Sequence, residues 1–451
     1  MKKNSLLDTY LRHYATGEKW DLIANDTENI SQVVVIPAYA EKEMLFSTLA
    51  SIAQNSPSSL EYSLILCVIN NKSNSPPSAI RNNLETMEYL TALVKKKSLS
   101  QFNIHEEFRT LLHTLSDAKL KLGCIDAASP GYEMPQNNGG VGMARKIGMD
   151  MALRLLKNSP AARNLIISLD ADTLVQNNYL SAIKNYFTSN VKTAIVAYEH
   201  QMPLTDEEKA AISCYEIFLR YWVLGLKYAK SPWAFHSIGS TIVTSTEAYL
   251  EVRGMNKREA GEDFYFLSKL AKMNNIGYIK DTCVYPSARP SARVPFGTGK
   301  RIERFLAREG REEYLLYDPK IFVILAKWLQ LMKNKLICSH DEILMEAEKI
   351  HPMLKSFLKD CDFTSIWSKI CRNANDEKTL SRQFNDWFDG FKTLKLINYF
   401  TRAVYPQMNM FEALERILSM MEMPGLKINA EIKIPQLEEQ IMILQYLRTV
   451  T

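Results

Sequence analysis

Short, almost purely apolar runs alternate with longer segments of helical spacing through the amino-terminal half of the chain. Apolar runs of about four to eight residues, bounded by turn residues, are typical of strands buried on both faces of a parallel sheet. We predict strands at 32–38, 62–70, 119–126, 164–170 and 192–198, with helices at 41–54, 140–157 and 177–189 between them. This alternation predicts an α/β fold with a Rossmann-like, doubly wound sheet flanked by helices.

The strand pattern fades after residue 300, and helical spacing dominates the rest of the chain. A chain of 451 residues is also too long for one ordinary core. We predict an N-terminal helical extension at 1–31, an α/β domain at 32–300 and an α-helical C-terminal domain at 301–451. Residues 78–117 are polar and helix-prone, and we interpret them as a helical insertion in the α/β domain.

Composition excludes some functions without naming one. Hydrophobic residues make up 46% and charged residues 23% of the chain, which is an ordinary globular balance. The formal net charge of +5 is small for this length, so we expect no nucleic-acid partner. The seven cysteines are scattered and lack metal-binding spacing, which is typical of reduced thiols in a cytoplasmic protein.

No apolar stretch reaches the roughly 18 residues of a membrane span, and the N-terminus lacks the apolar region of a signal peptide. These features predict a soluble, cytoplasmic protein. The amphipathic segments 214–230 and 320–336 leave a peripheral contact with a membrane surface open, although packing inside the protein is the favoured interpretation.

Two aspartates follow the predicted strand at 164–170 in the sequence "SLDAD". On an extended chain, Asp170 and Asp172 would face the same side, with α-carbons about 6.6 Å apart. They would then point into the crevice beyond the carboxyl end of the sheet, where open α/β folds bind ligands. Such a pair suits Mg²⁺ or Mn²⁺, which completes its shell with water and substrate phosphates. The alternative is that both residues only form a turn or cap the next helix.

Four motifs in order resemble the family-2 glycosyltransferases with the GT-A fold. They are "VVVIPAYAEKEMLFSTLASI" at 33–52, "NNGGVGMARKIGMDMAL" at 137–153, "SLDAD" at 168–172 and "GEDFYFLSKL" at 261–270. The resemblance covers about residues 32–300 and implies a GT-A domain there. It implies a hexosyltransferase-type enzyme that moves a sugar from a UDP- or GDP-linked donor to a hydroxyl, with inversion favoured over retention. The acceptor stays open between a carbohydrate, a lipid and a small molecule.

The resemblance implies that the segment after the first strand supports the nucleotide base through Pro37, Tyr39 and Glu41. We expect Pro37 to stop strand pairing, so that the following residues bend into the crevice. A plain strand-to-helix turn is the alternative. Similar proteins usually have an acidic residue at the end of the second strand, where this chain has Asn70 and Asn71. An amide oxygen can still accept a hydrogen bond, but the departure leaves the base open.

A glycine-rich segment precedes the helix at 140–157. Gly139 and Gly140 would allow close backbone approach of a diphosphate to the helix N-terminus, and Arg145 would add a fork of donors. Arg289 and Arg293 lie in a proline-rich stretch that could close over the diphosphate. The alternatives are an ordinary glycine turn and a linker between domains.

The acidic pair of "GEDFYFLSKL" comes at the predicted start of an amphipathic helix. In the inverting members that this segment resembles, the aspartate accepts the proton of the acceptor hydroxyl. The resemblance thus implies Asp263 as the base and Glu262 as its orienter or an acceptor contact. A charge pair that favours the helix dipole is the alternative. The resemblance also places His236 and Gly239 near the site, although a single histidine is more often structural.

Two departures from this interpretation stay open. A third metal ligand, frequently histidine, is expected after the acidic pair, and residues 264–300 contain no histidine. Asn70 and this missing histidine favour a rival from another class, a catalytically silent module that binds nucleotide sugars or acts as a scaffold. A sugar-nucleotide pyrophosphorylase shares the sheet type, but it would need a Gly/Arg-rich signature where this chain has "PAYAEKEM".

Overall fold

The computed structural model describes residues 2–451 except 160, 162, 189, 292–296, 310–312, 335–338, 424, 427 and 430–431. The chain forms two compact units, each built from two separate stretches of sequence. The sheet unit comprises Met1–Gln201 and Ser237–Ser287, and the helical unit comprises Met202–His236 and Ala288–Thr451.

A nine-stranded mixed sheet forms the centre of the sheet unit, in the order β1-β4-β3-β2-β5-β8-β7-β9-β6. The strands are β1 (Leu22–Ala24), β2 (Gln32–Ala38), β3 (Ser63–Asn70), β4 (Lys121–Ala127), β5 (Leu165–Ser168), β6 (Leu174–Val175), β7 (Thr193–Tyr198), β8 (Ile242–Ser245) and β9 (Ile276–Tyr285). β4, β3, β2 and β5 are parallel, whereas β8 runs antiparallel to both β5 and β7. The five predicted strands are confirmed, with ends within two residues of the prediction.

Helices cover the sheet on both faces because its central strands are apolar on both sides. The helices of this unit are α1 (Lys2–His13), α2 (Lys42–Ala53), α3 (Pro57–Glu61), α4 (Pro77–Val94), α5 (Glu106–Asp117), α6 (Val141–Leu155), α7 (Tyr179–Tyr186), α9 (Thr246–Glu251) and α10 (Glu262–Met273). Every residue of β2 and β3 is buried. The side chains on one face of these strands, among them Ile36 and Ile69, lie in one core with apolar residues of α2, α4 and α5. The predicted mixed α/β fold with a helical C-terminal region is confirmed.

The interpretation of 78–117 as an insertion differs from the structure. α4 and α5 connect the parallel neighbours β3 and β4, so they form the crossover that a parallel pair requires. Leu90 and Leu112 are fully buried in the core of the sheet unit. The segment is therefore part of the helical layer on the sheet rather than an addition to it.

The helical unit has its own core. Its helices are α8 (Asp206–Tyr228), α11 (Thr298–Arg304), α12 (Pro319–Asn334), α13 (His340–Ile350), α14 (Pro352–Asp360), α15 (Phe363–Asn373), α16 (Glu377–Trp387), α17 (Gly390–Ala403), α18 (Met410–Met420) and α19 (Leu437–Val450). The unit also has a π-helical turn at Phe305–Glu309 and an antiparallel strand pair, β10 (Leu315–Leu316) with β11 (Met408–Asn409). Tyr221 and Leu224 of α8 pack in one buried cluster with Phe322 and Trp328. For this reason Met202–His236 groups with the C-terminal helices, whereas we predicted it within 32–300.

None of the helices in the described part of the chain is long and apolar enough to cross a membrane. The cytoplasmic location and the peripheral membrane contact stay predictions.

Candidate functional site

An arginine and two carboxylates meet at the carboxyl edge of the parallel strands. Arg145 lies in the second turn of α6, Asp170 follows β5, and Glu262 is the first residue of α10. The Nη2 of Arg145 forms an ion pair with the Oδ1 of Asp170, and its Nη1 lies 3.5 Å from the Oε1 of Glu262. Arg145 is only 3% exposed, so its charge is balanced by these carboxylates rather than by solvent.

Gly239 explains how the guanidinium fits at this position. It begins a short 3₁₀ turn, Gly239–Thr241, directly before β8. A β-carbon at residue 239 would lie 2.2 Å from the Nη2 of Arg145 and 2.8 Å from its Cζ. The guanidinium therefore lies against the bare backbone of Gly239, and a larger side chain would displace it from its carboxylate partners.

Burial and mutual charge shift the pKa values of this cluster. Burial raises the pKa of Glu262 to about 7, against the lowering effect of Arg145, and the charge of Asp263 adds to the increase. Burial likewise raises the pKa of Asp263, again opposed by Arg145. Burial would lower the pKa of Arg145, but the charges of Asp170, Glu262 and Asp263 outweigh it and raise that pKa. A carboxylate with a raised pKa is a stronger proton acceptor near neutral pH.

The acidic pair occupies the first turn of α10, as we predicted. Gly261 has a positive φ of 68° and supplies no side-chain cap. The Oδ1 of Asp263 accepts a hydrogen bond of 2.7 Å from the backbone N–H of Phe264. Asp263 is half-buried, whereas Glu262 is buried. A carboxylate in the first helical turn is favoured by the helix dipole, so both carboxylates can also stabilise α10.

The extended geometry that we expected for Asp170 and Asp172 is wrong. β5 ends at Ser168, and the backbone N–H of Thr173 donates to the Asp170 carbonyl at 3.2 Å, which closes a turn over residues 170–173. The spacing of an extended chain therefore does not apply to the two carboxylates. The Asp172 carbonyl accepts a hydrogen bond of 3.1 Å from the side chain of Gln201, which holds this turn near the end of β7.

The donor set suits a divalent cation held by few protein ligands. Within the described residues, no group of three or more His, Cys, Asp and Glu side chains could hold a metal ion. Arg145 engages one oxygen of Asp170, and the carboxylate is still 32% exposed. Mg²⁺ commonly binds one or two carboxylates and takes its other ligands from water and phosphates. The Asp170 carboxylate suits this mode of binding, and a metal site on Asp170 and Asp172 stays a prediction.

The glycine-rich segment contacts protein backbone at each glycine. A β-carbon on Gly139 would lie 1.9 Å from the Pro135 carbonyl oxygen, and one on Gly140 would lie 2.5 Å from the α-carbon of Glu259. These contacts give both glycines a role in packing the loops around α6. Their contact with a diphosphate stays a prediction.

The expectation for Pro37 is wrong in one respect. Pro37 does not end pairing, because β2 stays in register with β3 through Pro37–Val68 and Ala38–Ile69. Its other neighbour, β5, pairs with β2 only as far as Val35. Proline is tolerated here because it has a strand partner on one side only.

The residues after β2 and β3 that we assigned to the base are mostly enclosed. Glu41 is buried at the N-terminus of α2, and Tyr39 is half-buried. The Asn70 amide, in the orientation that its neighbours require, donates to the Ala38 and Val68 carbonyls at 3.2 Å each. These bonds give the Asn70 nitrogen a structural role, and base recognition by these residues stays a prediction.

Three basic residues from the prediction lie outside the sheet unit or outside the described residues. Arg289 is half-buried in the helical unit, and Arg293 lies outside the described residues. His236 also belongs to the helical unit, where burial, reinforced by the charges of Arg220 and Lys227, lowers its pKa to about 3. It is therefore neutral, which favours the structural interpretation.

Sequence reasoning missed two features around the site. The first is residues 256–259, called the 256–259 loop below, which are separated by two residues from the acidic pair that follows and pack on the glycine-rich segment. The second is a buried network in which Asp150 of α6 accepts from Lys146 and from Tyr10 of α1. The sequence signal for this network was the spacing of Lys146 and Asp150, which lie four residues apart in a mostly apolar helix.

Comparisons with known proteins add remote structural likenesses. The chain matches no protein-family model, and the search of curated proteins finds no match. The crystal structure of S. aureus TarS residues 1–349 has 13% identity and a TM-score of 0.36, with 93% of this chain and 90% of that chain covered. The same figures apply to its complex with UDP-GlcNAc. The mannosyltransferase PcManGT from Pyrobaculum calidifontis, in complex with GDP-Man and Mn²⁺, has 14% identity and a TM-score of 0.35, with 88% and 92% covered.

Proposed function

We propose that this protein is a GT-A glycosyltransferase that transfers a sugar from a UDP- or GDP-linked donor to an acceptor hydroxyl. The observation that carries the proposal is the meeting of Arg145, Asp170 and Glu262 at the carboxyl edge of the sheet. The three residues come from three separate motifs of the family resemblance, and the fold brings them into one cluster. Open α/β folds bind their ligands at this edge.

Asp263 is the proposed catalytic base. The acceptor oxygen attacks the anomeric carbon while its proton passes to the Asp263 carboxylate, and the bond from that carbon to the phosphate oxygen breaks. Burial raises the pKa of Asp263, which favours this proton transfer. Glu262 orients the acceptor or the base, and Arg145 fixes Glu262 and Asp170 by charge. Attack opposite to the departing nucleotide inverts the anomeric carbon.

The remaining assignments concern the donor nucleotide. Pro37, Tyr39, Glu41 and Asn70 would surround the base and ribose, and Gly139 and Gly140 would face the diphosphate. Asp170 and Asp172 would hold Mn²⁺ or Mg²⁺, which when bound supplies positive charge beside the leaving diphosphate. The same task is proposed for Arg289 and Arg293.

The test is turnover of nucleotide sugars by the full chain. We would incubate it with UDP-glucose, UDP-N-acetylglucosamine and GDP-mannose plus Mn²⁺, and measure released UDP or GDP. Replacing Asp263 by Asn, which cannot accept the proton, should lower kcat by about 100-fold or more while the Kd of the nucleotide changes little. Turnover that Asp263→Asn leaves intact would contradict the base assignment.

A second candidate is a catalytically silent module that binds nucleotide sugars. It is favoured by Asn70, whose amide bridges β2 and β3 where similar proteins usually have an acidic residue. Binding of UDP or GDP in calorimetry, without release of nucleotide from any of the three donors, would support this candidate over the enzyme.

A further inference from the structure

We propose that Gly140 and Gly142 are positioning residues. By this proposal, they provide the surface on which the 256–259 loop packs, and the loop in turn fixes the place of Glu262 and Asp263. The catalytic consequence rests on the proposed function, whereas the packing consequence can be tested without it.

The first argument is the closeness of backbone to backbone. A β-carbon on Gly140 would lie 2.5 Å from the α-carbon of Glu259, and one on Gly142 would lie 2.4 Å from the Arg258 carbonyl oxygen. The Gly142 N–H donates a hydrogen bond of 3.2 Å to that same carbonyl. Backbone atoms cannot rotate away as a flexible side chain does, so an added methyl group would have to move the loop.

The second argument is that the loop is held at its other sides too. The Nζ of Lys72, just after β3, pairs with the Oε1 of Glu259 at 2.5 Å. The guanidinium of Arg258 lies 3.4 Å from the centre of the Tyr265 ring in α10. Contacts from Lys72, α6 and α10 therefore fix the loop shortly before α10 begins at Glu262.

The third argument is that α6 carries both the cation of the ion cluster and the glycine on which the 256–259 loop packs. Gly142 and Arg145 are three residues apart in α6, and Glu262 follows the loop that Gly142 supports. The distance of 3.5 Å between Arg145 and Glu262 thus depends on how closely the loop approaches α6. The N–H of Gly142 is already bonded within the protein, which makes it a poorer candidate for a phosphate contact.

The experiment compares Gly142→Ala with Gly17→Ala in the full chain. Gly17 is exposed, and an added β-carbon there would meet nothing within 4 Å. Two measurements are made: amide hydrogen exchange over residues 256–264, and turnover of the three donor sugars beside the Kd of UDP and GDP with Mn²⁺. We expect Gly142→Ala to speed exchange over 256–264 by about 10-fold or more. We also expect kcat to fall by about 10- to 100-fold while the nucleotide Kd stays within about twofold.

The opposite pair of results for amide exchange and nucleotide binding would overturn the proposal. If Gly142→Ala weakens UDP and GDP binding and leaves exchange over 256–264 as in Gly17→Ala, the glycine serves the phosphate and not the loop. If the wild type turns over none of the donors, the proposed function fails, and the exchange comparison still decides the positioning role.

A milder variant covers the case in which Gly142→Ala does not fold. Lys72→Met removes a partly exposed ion pair from the loop without adding volume against the backbone. It should speed exchange over 256–264 by a smaller factor of about twofold to fivefold, because such pairs contribute little stability. Unchanged exchange in this variant would count against the loop as the positioning element.

Discussion

Arg145 and Lys146 are consecutive residues of α6, and both are buried cations beside carboxylates. They face different clusters. Lys146 belongs to a closed network, in which Asp150 accepts from Tyr10 at 2.6 Å, from the Thr16 N–H at 2.7 Å and from Lys146 itself at 3.0 Å. The Tyr249 hydroxyl adds a fourth donor at 2.7 Å. A carboxylate has about four acceptor positions, so Asp150 is saturated.

The cluster of Arg145 is open by comparison. The Asp170 carboxylate is 32% exposed, and the buried Nε of Arg145 has no hydrogen-bond partner among the described residues. Glu262 keeps a pKa raised to about 7. Saturated buried networks are typical of structural roles, whereas spare polar groups with shifted pKa values indicate a site for a ligand. Of these two neighbouring residues of α6, Lys146 thus stabilises the fold, whereas Arg145 belongs to the candidate site.

The largest expected effect comes from removing the carboxylate at the centre of the closed network. Asp150→Asn leaves Lys146 buried without a charged partner, which should lower the free energy of unfolding by about 3 kcal/mol or more. Urea unfolding followed by circular dichroism measures this. The pH dependence identifies the cause: burial already lowers the pKa of Lys146, and losing Asp150 lowers it further. The unfolded state then binds more protons, so the stability of the variant should rise with pH up to the ordinary lysine value of 10.5. A pH-independent loss would contradict this account.

The second effect tests the open cluster. The charge of Arg145 lowers the pKa of both Glu262 and Asp263, so Arg145→Met should raise both values. The protonated carboxyl cannot act as a base, and activity is lost as pH falls through its pKa. The acid limb of the kcat/KM profile should therefore move to higher pH by about one unit. Arg145→Lys, which keeps a cation, is the matched variant and should shift the limb less. Equal shifts in both variants would show that geometry matters more than charge.

The third effect separates the clusters by their affinity for cations. If Asp170 and Asp172 bind Mn²⁺ as proposed, EDTA should lower turnover by about 10-fold or more. Asp172→Asn should then weaken Mn²⁺ binding in calorimetry by a similar factor. Asp150→Asn, in the closed network, should leave the Mn²⁺ affinity of the folded fraction unchanged. Full activity in EDTA would contradict the metal assignment.

The smallest effect concerns one hydroxyl of the closed network. Tyr10→Phe removes the group that receives a hydrogen bond of 2.8 Å from Lys146 and donates to Asp150. It should lower the free energy of unfolding by about 1 to 2 kcal/mol. Tyr14→Phe, at the end of the same N-terminal segment, is the control with an expected change near zero. The kcat of Tyr10→Phe should stay at the wild-type value, since its hydroxyl belongs to the network that the site does not use.

The strands could be predicted because their signal is local. The runs that became β2 and β3 are apolar at nearly every position, and such runs have few other ways to be buried. The order of motifs also indicated that Arg145, Asp170 and Glu262 belong to one region, and the fold brings these three together.

Other features depend on partners that the sequence does not reveal. The turn at Asp170–Thr173 replaces an extended end because β5 stops pairing with β2 at Ser168. Pro37 stays paired with β3, and on its other side β2 has no strand partner beyond Val35, where its pairing with β5 ends. The contact of Gly140 with Glu259 joins positions 119 residues apart, and no local pattern distinguishes it from a phosphate contact.

The interleaving of the two units has a consequence for folding during synthesis. The sheet needs β8 between β5 and β7, and β9 beside β7, so it cannot be completed until the segment through Tyr285 has emerged from the ribosome. α8 emerges earlier, yet core partners such as Phe322 and Trp328 are translated about one hundred residues later. The apolar face of α8 therefore stays exposed to solvent while roughly one hundred further residues are translated. During this period aggregation or chaperone binding competes with folding. Slowing translation after residue 228 should lower the yield of folded protein more than slowing it after residue 400.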